Sequence, residues 1–353
     1  DVYKRQDLLS SYLFSFVAGE FETIVRDVDG RQMTMLHRET DTAKLERNID
    51  EIFNLHAAAL EWLEDYSGIE YPFQKLDFAL IPAFQYGGME HVGAIQYKAS
   101  SLLVEEAPSD PELLGRASLI AHEVAHMWFG NLVTMDWFND VWTKEVFANF
   151  MAAKIVNPSF PDINHELNFL VRHYPRSYSV DRTTGANPIR QYLPNLNEAG
   201  QMYGAIIYNK APIMMRELEL ETGKSKFREG MQEYLQTYSF ANATWPNLIT
   251  ILDPKTDADL AAWSDDWVNK PGRPEFDELG DVMGYGLFPA RREDLDGWPA
   301  LSEVARASVI INAWENVLSN KMMRPAEYLD RLLAFAADEP NALILGTLLD
   351  QLH

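Results

Sequence analysis

The amino-acid sequence predicts an α+β fold, with strands near the amino terminus and helices over the rest of the chain. Residues 8–38 are rich in aromatic and β-branched residues, which favour strands. From Asp41 onward, apolar residues recur at the three- and four-residue spacing of amphipathic helices. Prolines at positions 299, 325 and 340 mark three successive helix starts, which indicate a helical carboxyl-terminal region.

The first elements are predicted from residue type and from glycine positions. Residues 12–17 predict a strand that Gly19 ends, and residues 21–25 predict the next strand. From residue 41 onward the spacing of the apolar residues changes. One long helix is expected from residue 41 to about Gly68.

Two further strands are predicted over residues 76–82 and 92–97, on either side of Gly87-Gly88. This strand pair would form the floor of a cleft beside the element that follows. The glycine pair suits a plain hairpin turn, and its backbone could also pair with an extended peptide as an added strand. Both readings of Gly87-Gly88 remain open from the sequence.

The most informative stretch reads His122-Glu123-Val124-Ala125-His126. On a helix, His122 and His126 lie one turn apart on the same face, so both imidazoles can bind one metal ion. Glu123 can reach a water on that ion without being a ligand itself. This pattern predicts half of a zinc site.

The helix that carries this motif is predicted from its flanks. Asp110 is the expected capping acid, Pro111 suits the first helical position, and Gly130-Asn131 predicts the helix end. The apolar positions between them recur at helical spacing and would face the core, leaving the histidines to face a cleft; they are Leu113, Ala117, Ile120, Val124 and Met127.

A third metal ligand is expected from another element. We choose Glu145, because the eighteen residues between it and His126 leave room for a turn and a second helix running back. Three protein ligands leave one position of a zinc ion for water, which is typical of catalytic zinc. The sequence therefore predicts one Zn²⁺ per chain, held by His122, His126 and Glu145.

The composition argues against several other classes of protein. Asp+Glu number 53 and Lys+Arg 30, and the net charge of -23 disfavours nucleic acid or an anionic membrane surface as a partner. No apolar run is long enough to predict a membrane span. Cysteine is absent, so histidine and carboxylate must hold the metal. The first residues suggest a truncated amino terminus; a cytoplasmic location is favoured over a periplasmic one, and the oligomeric state is open.

The rest of the chain predicts helices and one clear boundary. Asn157-Pro158 should close the helix that carries Glu145, and residues 160–197 predict a long irregular stretch. Pro271-Gly272-Arg273-Pro274 is the clearest boundary in the chain. Helices are predicted over residues 202–221, 227–238, 245–270 (two short ones), 299–319, 325–337 and 340–352.

Three separated motifs occur in one order along the chain. Gly87-Gly88-Met89-Glu90 is similar to a Gly-x-Met-Glu-Asn exopeptidase signature. His122 to Thr134, with Trp142 and Glu145 downstream, follows at the usual distance, and Tyr208-Asn209-Lys210 resembles a catalytic tyrosine segment. Together they resemble the aminopeptidase N family of gluzincin metallopeptidases, over most of residues 10–275.

The resemblance implies a thermolysin-like zinc peptidase fold followed by an α-helical region. Residues 26–274 would form the catalytic domain. Residues 1–25 would be a remnant of the family's amino-terminal β domain, residues 275–297 a linker where the family has a β-sandwich, and residues 298–353 the start of a helical domain.

The resemblance also implies an activity, that of a zinc-dependent aminopeptidase acting on peptides with a free amino terminus. Glu123 would be the general base, and Tyr208 would donate a hydrogen bond to the oxyanion. Glu90 would pair with the α-ammonium group of the substrate. Gly87, Gly88 and Met89 would complete the substrate-binding segment.

The chain departs from the family pattern at three positions: His91 replaces an asparagine, and Val146 and Ala211 each replace a glycine. Three alternatives stay open: a zinc endopeptidase on the same fold, a catalytically impaired peptide-binding module, and the bifunctional epoxide hydrolase-aminopeptidase branch of the family. Glu90 argues against the first, and the complete set of chemical residues argues against the second. Nothing specific supports the third, and the preferred first residue of the substrate is open.

Overall fold

The computed structural model describes residues 9–353, apart from residues 29, 202, 203, 279, 280 and 282. It confirms the α+β class, since small sheets accompany a larger set of helices. The described strands are β1 (Glu22–Val28), β2 (Arg31–His37), β3 (Leu76–Ile81), β4 (Gly88–Met89), β5 (Ile95–Lys98), β6 (Val133–Met135) and β7 (Ala241–Ala243). The described helices are α1 (Thr42–Ser67), α2 (Ala99–Leu102), α3 (Asp110–Ala125), α4 (Val141–Val156), α5 (His165–Asp181), α6 (Ala211–Thr222), α7 (Lys224–Thr237), α8 (Trp245–Leu252), α9 (Leu260–Ser264), α10 (Arg292–Asp296), α11 (Glu303–Leu318), α12 (Pro325–Asp338) and α13 (Ala342–Leu352).

The larger sheet has the strand order β1-β2-β3-β5-β4. The β1-β2 pair is antiparallel, whereas β2, β3 and β5 run parallel to one another. The short β4 pairs antiparallel with β5, where Gly88 faces Tyr97. Gly88 therefore lies in an edge strand of the sheet, and the predicted strand pair before the zinc motif is confirmed as β3 and β5.

Helix α1 forms where the sequence predicts it. Asp41 caps its start, because the Asp41 carboxylate accepts a hydrogen bond from the Lys44 backbone N–H at 3.0 Å. Gly68 ends it in the left-handed conformation (φ 69°), and its N–H donates to the Glu64 carbonyl. The predicted end near Gly68 is confirmed.

The strand predicted over residues 12–17 is wrong. Residues Ser11–Leu13 form a 3₁₀ turn, and an extended segment follows that pairs with no strand among the described residues. A strand needs a backbone partner, and here the contacts are individual: the Ser15 hydroxyl accepts from Gln96, and the Leu13 carbonyl lies 3.1 Å from the His91 ring. The residue types favour a strand, but they do not show whether a neighbouring strand is available to pair with it.

Two further predictions need correction. The capping residue of α3 is Ser109 and not Asp110; the Glu112 carboxylate accepts from both the Ser109 N–H and its hydroxyl. The irregular stretch predicted over residues 160–197 contains α5, a helix of 17 residues with Pro175 inside it. Its buried residues Leu167, Leu170, Tyr174 and Tyr178 follow a helical repeat that the tyrosines and the proline concealed.

The chain divides into two compact units, which are described separately. The first comprises Asp1–Phe160 and Met215–Ser264, and the second comprises Pro161–Met214 and Asp265–His353. The second has a core of its own, in which Tyr178 stacks on Tyr285 at 4.9 Å between ring centroids. The four-part domain division derived from the sequence stays a prediction.

In the core of the first unit, His56 of α1 is held in its neutral form. Its Nδ1 lies 2.8 Å from the Ile52 carbonyl, which can only accept, so Nδ1 carries the proton. The unprotonated Nε2 then accepts a hydrogen bond from the Tyr97 hydroxyl, which lies 3.0 Å from it. The ring stacks on Phe78, and burial lowers the pKa of His56 to about 4.

We expect His56 to make the protein less stable in mild acid. The pKa of histidine in the unfolded chain is about 6.5, so between that pH and about 4 the unfolded state takes up the proton and the folded state does not. The free energy of unfolding should fall by about 2 kcal/mol between pH 7 and pH 5 through this residue alone.

Urea unfolding of the wild type and His56→Gln at both pH values measures this loss. The variant should be less stable at pH 7, because it loses the stacked ring, yet it should lose about 2 kcal/mol less on acidification. An equal loss in the two proteins would contradict the prediction.

Candidate metal centre

The histidines of the motif lie at the end of α3, which packs against α4. His122 is in the last turn, and His126 follows directly after the helix while keeping helical dihedral angles (φ -57°, ψ -23°). The His126 N–H donates to the His122 carbonyl at 3.2 Å. The spacing of four residues therefore keeps both imidazoles on one face, as the sequence predicts.

The turn after α3 brings α4 close to the histidines. Gly130 has φ +130°, which favours glycine, and a Cβ there would lie 3.2 Å from Lys144 Cβ and 3.4 Å from His126 Nδ1. Glycine at this position thus allows the close approach of α4, which carries Glu145. Asn157-Pro158 follows that helix, as predicted.

The structure brings His122, His126 and Glu145 together as a group that could hold a metal ion, and we call these three residues the metal cluster. The two histidine Nε2 atoms are 3.0 Å apart, and His122 Nε2 lies 3.6 Å from Glu145 Oε2. One potential ligand atom from each residue lies within 4.8 Å of the other two. Two nitrogens and one carboxylate oxygen are the donor set that zinc prefers in catalytic sites.

The tautomers of the two histidines suit a cation. His126 Nδ1 lies 3.0 Å from the Phe129 carbonyl, and His122 Nδ1 lies 3.1 Å from Asn149 Oδ1; both oxygens accept, so each Nδ1 carries a proton. Burial lowers the pKa of His122 to about 4. When both rings are neutral, two Nε2 lone pairs converge at 3.0 Å, an arrangement that a bound cation stabilises.

Glu123 lies beside the metal cluster without belonging to it. Its side chain is 3% exposed, and its Oε2 is buried without a hydrogen-bond partner among the described residues. Burial raises the pKa of the Glu123 carboxyl well above its usual range, and the carboxylates of Glu90 and Glu145 raise it further. A carboxylate whose pKa is raised is a stronger proton acceptor than a free one.

Glu90 is also buried and belongs to a charged network. Its Oε1 accepts from Lys144 Nζ at 2.6 Å and from the Tyr12 hydroxyl at 3.2 Å, and its backbone carbonyl accepts from Asn131. Lys144 Nζ also donates to Glu145 Oε1 at 2.7 Å. Burial alone would raise the pKa of Glu90, but the Lys144 ammonium holds it well below its usual range, so Glu90 stays a carboxylate.

The charges of this region fit a divalent cation. When ionised, the buried carboxylates of Glu90, Glu123 and Glu145 carry three negative charges. Lys144 supplies one positive charge, so the group has a net charge of two negative units. Burying unbalanced charge is costly, and one divalent ion at the metal cluster would restore neutrality. The donor set, the histidine tautomers and the local charge all fit zinc.

Sequence reasoning missed Lys144 and Tyr12. Lys144 directly precedes the predicted ligand Glu145, in a part of α4 that is almost wholly buried. A charged residue in that position is the signal that could have identified Lys144 as part of the site. Tyr12 is remote in sequence and gave none. Asn149 is a further residue of this site, because its side-chain oxygen contacts His122 Nδ1.

Tyr208 lies in the second unit and is 40% exposed. It belongs to a π-helical segment, Ile206–Lys210, that leads into α6. The neighbouring Lys210 is buried and forms an ion pair with Asp181 at 2.7 Å, which anchors the segment. The assignment of Tyr208 as a catalytic residue stays a prediction.

The departures from the family pattern are accommodated locally. Val146 and Ala211 are both fully buried in their helices. The His91 ring meets the Leu13 carbonyl at 3.1 Å, so it ties the segment after Glu90 to residues near the amino terminus. Glu90 keeps its buried position with histidine in place of asparagine at the next residue.

Comparison with known families agrees with this geometry. The sequence profile of the Peptidase family M1 domain matches residues 51–267, which is more than half of the chain and includes the metal cluster, Glu123 and Glu90. The chain belongs to the M1 peptidase family. The resemblance to aminopeptidase N, stated from the sequence motifs, is confirmed at the level of the family.

Several curated proteins are similar to this M1 family member. It is 33% identical over 266 residues to a leucyl aminopeptidase of Saccharolobus solfataricus, covering 75% of this chain and 33% of that protein. It is 32% identical over 268 residues to a puromycin-sensitive aminopeptidase of Caenorhabditis elegans (75% and 28%) and 31% identical over 248 residues to the human endoplasmic reticulum aminopeptidase 1 (69% and 26%). The chain thus matches about a third or less of the length of these relatives.

No helix in the described part of this M1 family member has the length and apolar character that crossing a bilayer requires.

Proposed function

We propose that this M1 family member is a zinc-dependent aminopeptidase that hydrolyses the amino-terminal peptide bond of peptides. The observation that carries the proposal is the pairing of two features in one buried region. The metal cluster of His122, His126 and Glu145 offers two imidazole nitrogens and a carboxylate oxygen. Glu90, an ionised carboxylate, is linked to that cluster through Lys144. The names of the aminopeptidase relatives support the same assignment.

His122, His126 and Glu145 would hold the zinc. When bound there, the ion supplies Lewis-acid polarisation of the scissile carbonyl and of the attacking water. Asn149 and the Phe129 carbonyl orient the two imidazoles so that both Nε2 atoms face the metal position. Lys144 donates to Oε1 of Glu145, so Oε2, which lies 3.6 Å from His122 Nε2, would be the oxygen available to the zinc.

Glu123 would act as the general base. Its carboxylate accepts a proton from the attacking water and delivers it to the leaving amine, so one residue serves as base and then as acid. The Glu123 carboxyl, whose pKa burial raises, ionises more readily when a cation neutralises the surrounding negative charge. Tyr208 would donate its hydroxyl hydrogen to the developing oxyanion, an interaction that typically contributes about 3 kcal/mol.

Glu90 and the edge strand would position the substrate. The α-ammonium group of a peptide would pair with the Glu90 carboxylate, so only the first residue could reach the metal. Strand β4 is an edge of the sheet, and the Gly87-Gly88-Met89 backbone could hydrogen-bond to an extended peptide as an added strand. Main-chain pairing of this kind gives affinity for peptides of many sequences.

The proposal is tested by the order in which residues leave a defined peptide. A ten-residue peptide and its N-acetylated form are incubated with the zinc-loaded protein, and the products are followed by mass spectrometry. Stepwise loss from the free amino terminus, with the acetylated peptide intact, is the expected result. Internal cleavage of both peptides would instead favour the endopeptidase, and no cleavage of either would favour the peptide-binding module.

A further inference from the structure

Residues 12–15 lie against the part of the chain that carries Glu90. Three polar contacts hold them there: Tyr12 to Glu90, Leu13 to His91, and Ser15 to Gln96. Leu13 is buried, whereas Phe14 and Phe16 are 84% and 78% exposed. The position of this stretch therefore depends on the three polar contacts and on one buried apolar side chain.

The Tyr12 hydroxyl donates its hydrogen to Glu90. It has one hydrogen and two possible acceptors, Glu90 Oε1 at 3.2 Å and the Gly130 carbonyl at 3.5 Å. The Glu90 oxygen is the nearer acceptor and carries charge, so it forms the stronger hydrogen bond. Burial raises the pKa of Tyr12 well above its usual range, so the hydroxyl keeps its hydrogen throughout the neutral pH range.

Lys144 donates to the same oxygen of Glu90, but its ammonium does not fix the carboxylate by itself. Lys144 Nζ lies 2.6 Å from Glu90 Oε1 and 2.7 Å from Glu145 Oε1, so one ammonium on a flexible side chain serves two carboxylates. A carboxylate held by a single donor can still pivot about it. The Tyr12 hydroxyl reaches Glu90 Oε1 from another element and supplies the second point of attachment.

The Tyr12 ring is held by contacts that do not need its hydroxyl. It packs edge-to-face on Phe138 with 6.2 Å between ring centroids, and Lys144 Nζ lies 5.5 Å from the centroid of the Tyr12 ring. The adjoining Leu13 is 3% exposed. Because these contacts survive the loss of the hydroxyl, the hydrogen bond to Glu90 can be tested separately from the packing of the ring.

The orientation of Glu90 matters because other polar groups surround its carboxylate. Glu90 is 2% exposed, and one of its oxygens lies within 4.8 Å of a Glu123 oxygen and of a His126 nitrogen. A carboxylate that is free to rotate there could turn toward these residues instead of meeting a substrate ammonium. Two donors on Oε1 restrict that rotation.

We propose that Tyr12 is a positioning residue: its hydroxyl, together with Lys144, holds the Glu90 carboxylate in the orientation that receives the α-ammonium group of the substrate. The inference rests on the proposed aminopeptidase function for the role of Glu90. It adds to the site a residue that precedes the part of the chain matched by the family profile, residues 51–267.

The test is the variant Tyr12→Phe, which removes the hydroxyl and keeps the ring, with Tyr71→Phe as the matched control. The Tyr71 hydroxyl donates to the Lys75 carbonyl at 3.0 Å, so the control makes the same chemical change without removing a contact of Glu90. We expect KM for leucine-p-nitroanilide to rise about tenfold in Tyr12→Phe, the usual effect of losing a hydrogen bond to a charged group. The ammonium contact is made equally in the ground state and the transition state, so kcat and zinc affinity should stay within about threefold of the wild type. Tyr71→Phe should keep the wild-type KM.

Binding of L-leucine and of 4-methylpentanoate to the zinc-loaded protein gives a readout that needs no turnover. The two molecules share a carboxylate and a side chain, and only leucine carries an ammonium group. Calorimetry should show leucine binding about tenfold more weakly to Tyr12→Phe than to the wild type, with 4-methylpentanoate unchanged. An equal change for the two ligands, or a leucine affinity that does not fall, would overturn the inference. A wild type that binds both ligands equally would instead refute the proposed role of Glu90, and the inference with it.

The Glu90→Gln background shows whether Tyr12 acts through Glu90. Without the carboxylate there is no ion pair for the hydroxyl to orient, so Tyr12→Phe should cost less than about threefold in kcat/KM in that background, against about tenfold in the wild type. A tenfold cost in both backgrounds would contradict the inference, because Tyr12 would then act independently of Glu90.

Discussion

Glu123→Gln is expected to lower kcat for leucine-p-nitroanilide roughly a thousandfold, within the range that a general base contributes. Glutamine matches the shape of glutamate, so it fits against Gly88 and leaves the packing of α3 intact. It cannot accept a proton from water or return one to the leaving amine. Because Glu123 is not one of the three zinc ligands proposed here, His122, His126 and Glu145, the variant should bind zinc with the affinity of the wild type.

The matched measurement is His126→Gln, which removes a ligand. Zinc binding by chelator competition and kcat should fall together in that variant, whereas only kcat should fall in Glu123→Gln. If Glu123→Gln retained more than a tenth of the wild-type kcat at full zinc occupancy, Glu123 would not be the base. Loss of zinc from Glu123→Gln would instead indicate that Glu123 is a ligand.

Glu90→Gln is expected to lower kcat/KM about 100-fold for substrates with a free amino terminus. A buried ion pair between the Glu90 carboxylate and the substrate ammonium would be replaced by a hydrogen bond from the ammonium to an uncharged amide oxygen, a change worth about 3 kcal/mol. N-acetylated peptides carry no ammonium group and should stay uncut by the wild type and the variant alike. The quantity to measure is therefore kcat/KM for leucine-p-nitroanilide in the variant relative to the wild type.

A control variant shows whether removing some other ion pair of the first unit would lower kcat/KM in the same way. Glu64→Gln removes the partner of Arg31, whose guanidinium lies 2.9 Å from the Glu64 carboxylate outside the site. That variant should keep the wild-type kcat/KM for leucine-p-nitroanilide. A Glu90→Gln enzyme whose kcat/KM stays within threefold of the wild type would show that Glu90 does not bind the substrate ammonium.

Much of the candidate site could be predicted because its geometry is local. The spacing of His122 and His126 fixes their relation on any helix, and a downstream acid was needed to complete the donor set. Lys144 could not be assigned a role, because a lysine beside Glu145 is exposed or buried depending on how α4 packs. The Tyr12 contact with Glu90 joins residues 78 positions apart, a distance over which no sequence pattern carries information.

The sequence predicted some elements of the fold correctly and others wrongly. Helix α1 has a capping aspartate, a regular apolar stripe and a terminal glycine, so its start and end follow from the sequence. Residues 12–17 have strand-forming composition, but a strand also needs a neighbour, and that is a property of the tertiary structure. In α5 the apolar stripe contains tyrosines and encloses Pro175, so a buried helix resembled a loop.

Zinc-dependent hydrolysis by the purified protein is the most direct test of the central claim. Protein stripped with a chelator is titrated with Zn²⁺ while the hydrolysis of alanine-, leucine- and arginine-p-nitroanilide is recorded, and an N-acetylated substrate serves as the reference. We predict that activity rises linearly and reaches a plateau at one zinc per chain, with the acetylated substrate untouched. One zinc bound per chain with no turnover of any substrate would contradict the aminopeptidase, and the peptide-binding module would then be the better account.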